Sequence, residues 1–286
     1  MPNTFYTWDA FVNNFGSEMR EAVEQFENMT NHGCPDLAVA TFDFTFESDE
    51  EDKLVSLSKY LQDHYEYSIE SIENDDGVWE LNGSGAEIPV TEDNVMYWIL
   101  DMAKRGYEFD AKLTGYGATT PGSDGPFPDL DEKLEGDYFD RGLNAYNAGN
   151  RSAAIVNWSL VILINDRNVN AYYSRAIVKN ELYSWKAALR DYDEAIRLAP
   201  NFLAALTNRG ALKDDNGDDE GALADYNKVI AIAGDDKDQL AQAHFNRGNT
   251  HHRMGRHDDA CRDWKKAFEL GADYAAERID TECRKR

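Results

Sequence analysis

Apolar and polar positions alternate with a period of two across LAVATFDFTF, residues 37 to 46, and the stretch is rich in β-branched and aromatic residues, so it predicts a strand. Downstream the period changes: Leu54, Val55, Leu57 and Leu61 recur at helical spacing, and Ser48 with Glu51 has the pattern of a capping box at the start of that helix. YSIESIE and VWELNG, separated by NDDG, predict a hairpin that turns at Asp76-Gly77. Thr91 then caps EDNVMYWILDMAKR, a helix with Val95, Trp98, Ile99 and Met102 on one face, and YEFDAKL returns as a last strand. An amphipathic helix over about residues 8 to 30 precedes the set. The order β-α-β-β-α-β predicts an α+β domain of the ferredoxin-like, split βαβ arrangement.

In the second half only the helical period remains, and it repeats. Four similar heads stand at YFDRGLNAY (138), YYSRAIVKN (172), LTNRGALKD (206) and HFNRGNTHH (244), spaced by 34, 34 and 38 residues. A small residue follows the Arg of each head, at Gly142, Ala176, Gly210 and Gly248. Twelve residues later comes Ala154, Ala188, Ala222 or Ala260, and four further on an aromatic, Trp158, Tyr192, Tyr226 or Trp264. Glycines at 149, 217 and 255 end the first helix of three units, whereas Tyr183 and Ser184 stand there in the second. KDQL, residues 237 to 240, reads as an insertion that lengthens a helix or loop. Sixteen residues after each Arg stand Asn157, Asp191, Asp225 and Asp263, so three of the four units can form an Arg-Asp ion pair.

This spacing resembles the tetratricopeptide repeat, a 34-residue helix-turn-helix. The resemblance covers 135–168, 169–202, 203–236 and 241–274, with AAERIDTECRKR as a capping helix, and implies an all-α solenoid over 134–286. It implies a groove lined by the first helix of each repeat, which by position nominates Asn170, Tyr173, Ile177, Asn180, Thr207, Ala211, Asp214, Gln242, Phe245, Asn249, His252 and Arg253. An extended or helical segment of a partner protein is the expected occupant. Chaperone-binding members of the family hold a terminal carboxylate with a Lys and Asn set. Here Phe139 and Leu143 replace it in the first repeat, so that sub-function looks absent.

Composition sharpens the division. TTPGSDGPFPDLDEK, residues 119 to 133, interrupts all periodicity and reads as a partly extended linker, with 1–118 before it and 134–286 after. The formal net charge is −25, and residues 1–120 hold 25 Asp or Glu against 6 Lys or Arg, a net of −19. Such a surface repels nucleic acid and attracts basic protein surfaces, with Asp49, Glu50, Glu51 and Asp52 as the densest acidic run. No apolar stretch is long enough to span a bilayer and no basic segment with an apolar run opens the chain, which predicts a soluble, cytoplasmic protein without membrane attachment. Cys34, Cys261 and Cys283 are odd in number and are expected to be reduced thiols.

Within the acidic half, FDFTFESDEED (42–52) and MAKRGYEFDAKLTGYG (102–117) resemble the opening and close of the RraB domain, the family of regulators of ribonuclease E activity B, in bacteria. Glu108, Phe109 and Asp110 fit the family's closing motif, while Ala111 and Lys112 stand where the family often has Gly and Trp. The resemblance implies a non-enzymatic inhibitor or modulator that docks on a basic partner, a ribonuclease or a toxin nuclease. The alternative is a general repeat scaffold or adaptor with no nuclease-related role.

Chemistry is sparse. Asp43, Glu47 and Asp110 make a carboxylate pair conceivable, but isolated acids in so acidic a domain are ordinarily solvated. No phosphate loop, GxSxG or HExxH occurs, so no catalytic residue and no cofactor is expected. HFNRGNTHHRMGRHDDAC holds His244, His251, His252, His257 and Cys261, all residue types that bind zinc. His251 and His252 point about 100° apart on a helix, so no metal is expected there.

Overall fold

The computed structural model describes residues 3–32, 34, 37–119 and 130–283. Residues 120–129, most of the 119–133 linker, lie outside the described residues. The chain divides into two compact units, Met1–Asp166 and Arg167–Arg286.

The first unit contains α1 (Trp8–Asn31), β1 (Val39–Ser48), α2 (Glu51–Tyr65), β2 (Ser68–Asp75), β3 (Val78–Pro89), α3 (Glu92–Glu108), β4 (Lys112–Thr119), α4 (Glu135–Asn147) and α5 (Arg151–Ile164). Its four strands form one sheet in the order β2-β3-β1-β4, every neighbouring pair antiparallel. Ala40, Phe42, Phe44 and Phe46 alternate onto the buried face of β1. There Phe42 meets Trp98 of α3 at 4.9 Å between ring centroids, beside the buried Leu54, Leu57 and Leu61 of α2. The opposite face is polar, and on it Thr45 Oγ1 donates to Asn82 Oδ1 at 2.7 Å. Asp76 and Gly77, at φ of 48° and 94°, make the tight β2-β3 turn.

Two local expectations change. Ser48 does not cap α2: the capping position is Glu50, and the Ser48 hydroxyl donates instead to Asp110 O at 2.9 Å. The last strand begins only at Lys112, near the end of YEFDAKL, because α3 continues to Glu108. Between them Asp110, at φ 54°, turns its carboxylate onto the N-terminal segment, where Thr4, Phe5 and Tyr6 donate their backbone N–H groups to it at 2.7–3.2 Å. The alternation in YEFDAKL thus marks a helix end and a tertiary contact.

The helix pair α4-α5 packs in this unit, against α3. The junction is a carboxylate, Asp101, whose side chain is fully buried. Asp101 Oδ2 accepts from the Ser152 N–H at the start of α5 at 2.9 Å, the Tyr65 hydroxyl lies 2.9 Å from the same oxygen, and Arg105 Nε lies 3.3 Å from Oδ1. The carboxylate therefore serves an N-terminal helix amide that has no partner within its own helix. The repeat-like pair at 135–168 is so grouped with the α+β elements, whereas the sequence places the break at the proline-rich stretch.

The second unit is a helical, tetratricopeptide-like solenoid of antiparallel pairs: α6 (Val169–Glu181) with α7 (Trp185–Leu198), α8 (Leu203–Asp215) with α9 (Asp219–Ile232), and α10 (Lys237–Arg253) with α11 (His257–Glu269). KDQL is the first turn of α10, which it makes 17 residues long against 13 for α6 and α8. The small residue of each head lies under the later aromatic: a Cβ built on Gly210 or Gly248 would stand 2.7 Å from the Tyr226 or Trp264 ring. Tyr183 takes the left-handed turn, φ 59°, that glycine takes in the other units.

The expected capping helix forms over 275–283, as α12 (Ala275–Arg278) and a wider helical turn at Ile279–Cys283, while residues 284–286 lie outside the described residues. A further expectation is corrected. Cys261 and Cys283 are not free thiols; they form a disulfide between α11 and this terminal segment. Among the described residues, no helix is long and apolar enough to cross a membrane.

Candidate protein-binding groove

Helices α6, α8 and α10 lie side by side, and polar contacts across them hold the register. Asn208 Nδ2 donates to the Tyr173 hydroxyl at 3.1 Å, joining α8 to α6. Thr250 Oγ1 donates to Asp214 Oδ1 at 2.6 Å, joining α10 to α8, and Arg253 reaches both Asp214 Oδ2 and Asp219 Oδ1 at 3.0 Å. Asp214 and Arg253, nominated as groove residues, are thus each other's partners, and the pair reads as scaffold within the groove.

The other nominated residues separate by what already holds them. Thr207 is buried, so its side chain belongs to the core. Asn249 Oδ1 accepts from Trp264 Nε1 at 3.0 Å, Phe245 meets Tyr274 edge-on at 4.7 Å, and His252 Nε2 lies 3.3 Å from Glu282 Oε2. Asn170, Asn180 and Gln242 are exposed, and Tyr173, Ile177 and Ala211 half-buried. A cleft of about 450 Å³ runs from Gln242 and Phe245 to Asn246, Leu270 and Tyr274. Asn208, Tyr274 and Glu282 were missed in the sequence. The first sits beside a repeat Arg, the second is the last residue of the fourth repeat, and the third lies beyond the repeats.

Below the groove the Arg-Asp pairs form where expected, bidentate from Arg175 to Asp191, from Arg209 to Asp225 and from Arg247 to Asp263. Arg141 instead pairs with Asp137 at 2.5 Å, since Asn157 offers no charge. Lys179 and Lys213 also approach Asp191 and Asp225, at 3.2 and 2.9 Å, and in the last repeat His251 replaces that lysine at 3.8 Å. His244 Nδ1 lies 2.8 Å from Asp263. Burial alone would raise the pKa of Asp263, but Arg247 and His244 outweigh it and hold it below the usual carboxylate range. The histidines therefore scatter: two converge on Asp263, His252 and His257 meet edge-on at 5.1 Å, and Cys261 is bonded to Cys283. Among the described residues no three His, Cys, Asp or Glu side chains are arranged to hold a metal ion.

In the first unit Asp49, Glu50, Glu51 and Asp52 are all exposed around the start of α2. Lys53 Nζ, 2.6 Å from Asp49 and 2.7 Å from Asp110, offsets part of that charge. Asp43 and Asp110 do not converge, since Asp43 lies exposed on β1 while Asp110 is engaged by the N-terminal segment.

The model of the tetratricopeptide repeat matches residues 241–274. The chain is similar to tetratricopeptide repeat protein 36 of Bos taurus, 31% identical over 105 residues that cover 37% of this chain and 56% of that protein. It is also similar to the protein of the same name from Mus musculus, 33% identical over 92 residues covering 32% and 50%. The chain spans about half the length of the curated relatives it matches. Similar solved structures include MamA from Desulfovibrio magneticus RS-1, 17% identical, covering 54% of this chain and 88% of that one with a TM-score of 0.45. Another is YrrB, described as a tetratricopeptide-repeat protein with an unusual peptide-binding site, 18% identical, covering 64% and 82% with a TM-score of 0.46.

Proposed function

We propose that the protein is a repeat scaffold or adaptor that holds a segment of a partner protein along α6, α8 and α10. The observation that carries this reading is the sorting of groove residues. The charged ones, Asp214 and Arg253, are tied to each other, while Asn170, Tyr173, Ile177, Asn180, Ala211 and Gln242 stay accessible on a face pre-ordered by cross-repeat bonds. Such a face presents aromatic, aliphatic and amide groups, which suit an extended or helical peptide whose backbone needs polar partners. The first unit's sheet order and antiparallel pairing support the split βαβ reading, and its acidic surface would add long-range attraction for a basic partner. Nuclease regulation draws no support from the matched residues, which lie in the repeats.

Surface plasmon resonance with a captured partner separates the contributions. Tyr173→Ala and Ile177→Ala should speed dissociation at every salt concentration, because aromatic and aliphatic anchors in a desolvated groove dominate the off-rate. Amide replacement of Asp49, Glu50, Glu51 and Asp52 should slow only association. Groove variants that dissociate like the parent, with binding lost in the acidic variant, would exclude the adaptor reading.

A further inference from the structure

The terminal segment after α11 is held in an unusual way. Of residues 273 to 283 only Ala275 is buried, so the apolar area that fixes the segment is small. Its helix is short, one α turn that widens over Ile279–Cys283, and would not persist alone. Its contacts to the groove end include the Tyr274 ring, edge-on to Phe245, and the Glu282 carboxylate near His252. A segment with so little burial would open readily. The bond between Cys261 and Cys283, which spans 22 residues of sequence, is what ties its far end to α11.

That bond is also open to attack. Both cysteines are partly exposed, and they line a surface cleft of about 300 Å³ with His257, Asp258, Arg262, Lys265 and Glu282. Cys261 lies in the second turn of α11, and Arg262 and Lys265 of the same helix line the cleft together with the carboxylates of Asp258 and Glu282. Disulfide exchange is fastest when the departing sulfur is the better-stabilised thiolate.

We propose that Cys261–Cys283 is a thiol-disulfide exchange site whose substrate is a dithiol reductant, and that its reduction releases residues 273–283 from the end of the groove. A reductant thiolate attacks Cys283 Sγ, the Cys261–Cys283 bond breaks, and Cys261 leaves as a thiolate that takes a proton. The second thiol of the reductant then attacks the mixed disulfide and expels the Cys283 thiolate, which is protonated in turn. Two electrons and two protons pass to the protein, and the dithiol becomes a cyclic disulfide. Release uncovers Phe245 and His252, the two groove residues that the segment now touches. The inference does not depend on a groove ligand, so it stands or falls apart from the adaptor reading.

Hydrogen exchange read by mass spectrometry on the full chain, with and without dithiothreitol, tests it. Reduction should speed exchange over 276–283 on the order of a hundredfold, the effect of opening a loop of this length, with α6 to α9 unchanged. Cys283→Ser without reductant should behave like the reduced parent, and Cys34→Ser should keep the full response. Exchange that is the same in both states would overturn the proposal. So would a response lost with Cys34→Ser, or alkylation of both Cys261 and Cys283 in the air-oxidised, unreduced protein.

Discussion

Replacing Asp101 with Asn tests whether the first helix pair is a working part of the α+β unit. The carboxylate is fully buried, and it accepts from the Ser152 amide and Arg105 while the Tyr65 hydroxyl lies in reach. Asn keeps one acceptor oxygen but turns an N–H₂ toward one of these donors. It also removes a negative charge facing Arg105, itself only 8% exposed. Hydrogen bonds to a charged group contribute about 1.5–3 kcal/mol each, and removing one partner of a buried pair costs about 3–5 kcal/mol. Arg105 retains Glu108, and Asn retains one bond, which places the expected loss near the lower end, about 3 kcal/mol. Urea unfolding of the full chain by circular dichroism, with hydrogen exchange to localise the loss, is the assay. Protection should fall in α3 and α5 and stay unchanged in α8 and α9. A variant within about 0.5 kcal/mol of the parent, or one whose protection falls equally in both units, would show that Asp101 does not anchor α5.

Three further outcomes are expected. Gly248→Ala places a methyl group 2.7 Å from the buried Trp264 ring; overpacking of about 1–3 kcal/mol should exceed the helix-propensity gain of about 1 kcal/mol, so the second unit's thermal midpoint should fall. Burial alone would raise the pKa of Asp110, but Lys53 and the Thr4 and Tyr6 amides outweigh it and bring it down to about 2. The folded state then binds fewer protons than the unfolded, so stability present above pH 4 should be lost as pH falls toward 2, and Asp110→Asn should flatten that limb of the urea-midpoint profile. For Glu18 the sign is opposite, because burial and the nearby Glu21 charge, only partly offset by Lys112, push its pKa up to about 7. Stability should decline as pH rises from about 4.5 to 7, and Glu18→Gln should be the more stable protein at pH 8 but not at pH 4, read by the same midpoints.

The repeats were legible because their information is local and periodic. A small residue, an alanine and an aromatic at fixed offsets can satisfy one another only in a helix pair, and Gly210 under Tyr226 and Gly248 under Trp264 show the steric reason. Turn and cap chemistry is similarly short-ranged, which is why Asp76-Gly77 and Thr91 could be read directly. The tertiary structure decided what depends on partners distant in sequence. Asp110 looked like a strand residue until the N-terminal segment, more than a hundred residues away, closed on its carboxylate. Asp101 looked like one acid among many until burial made it the anchor of α5, and Asp214 and Arg253 became scaffold because two helices face each other. Cys261 and Cys283 carry no spacing signal, because their pairing follows from where the chain turns after α11 and not from the residues between them. Periodicity determines which faces must be buried, whereas the partner of a buried charge or a sulfur is set by the direction in which the folded backbone points it.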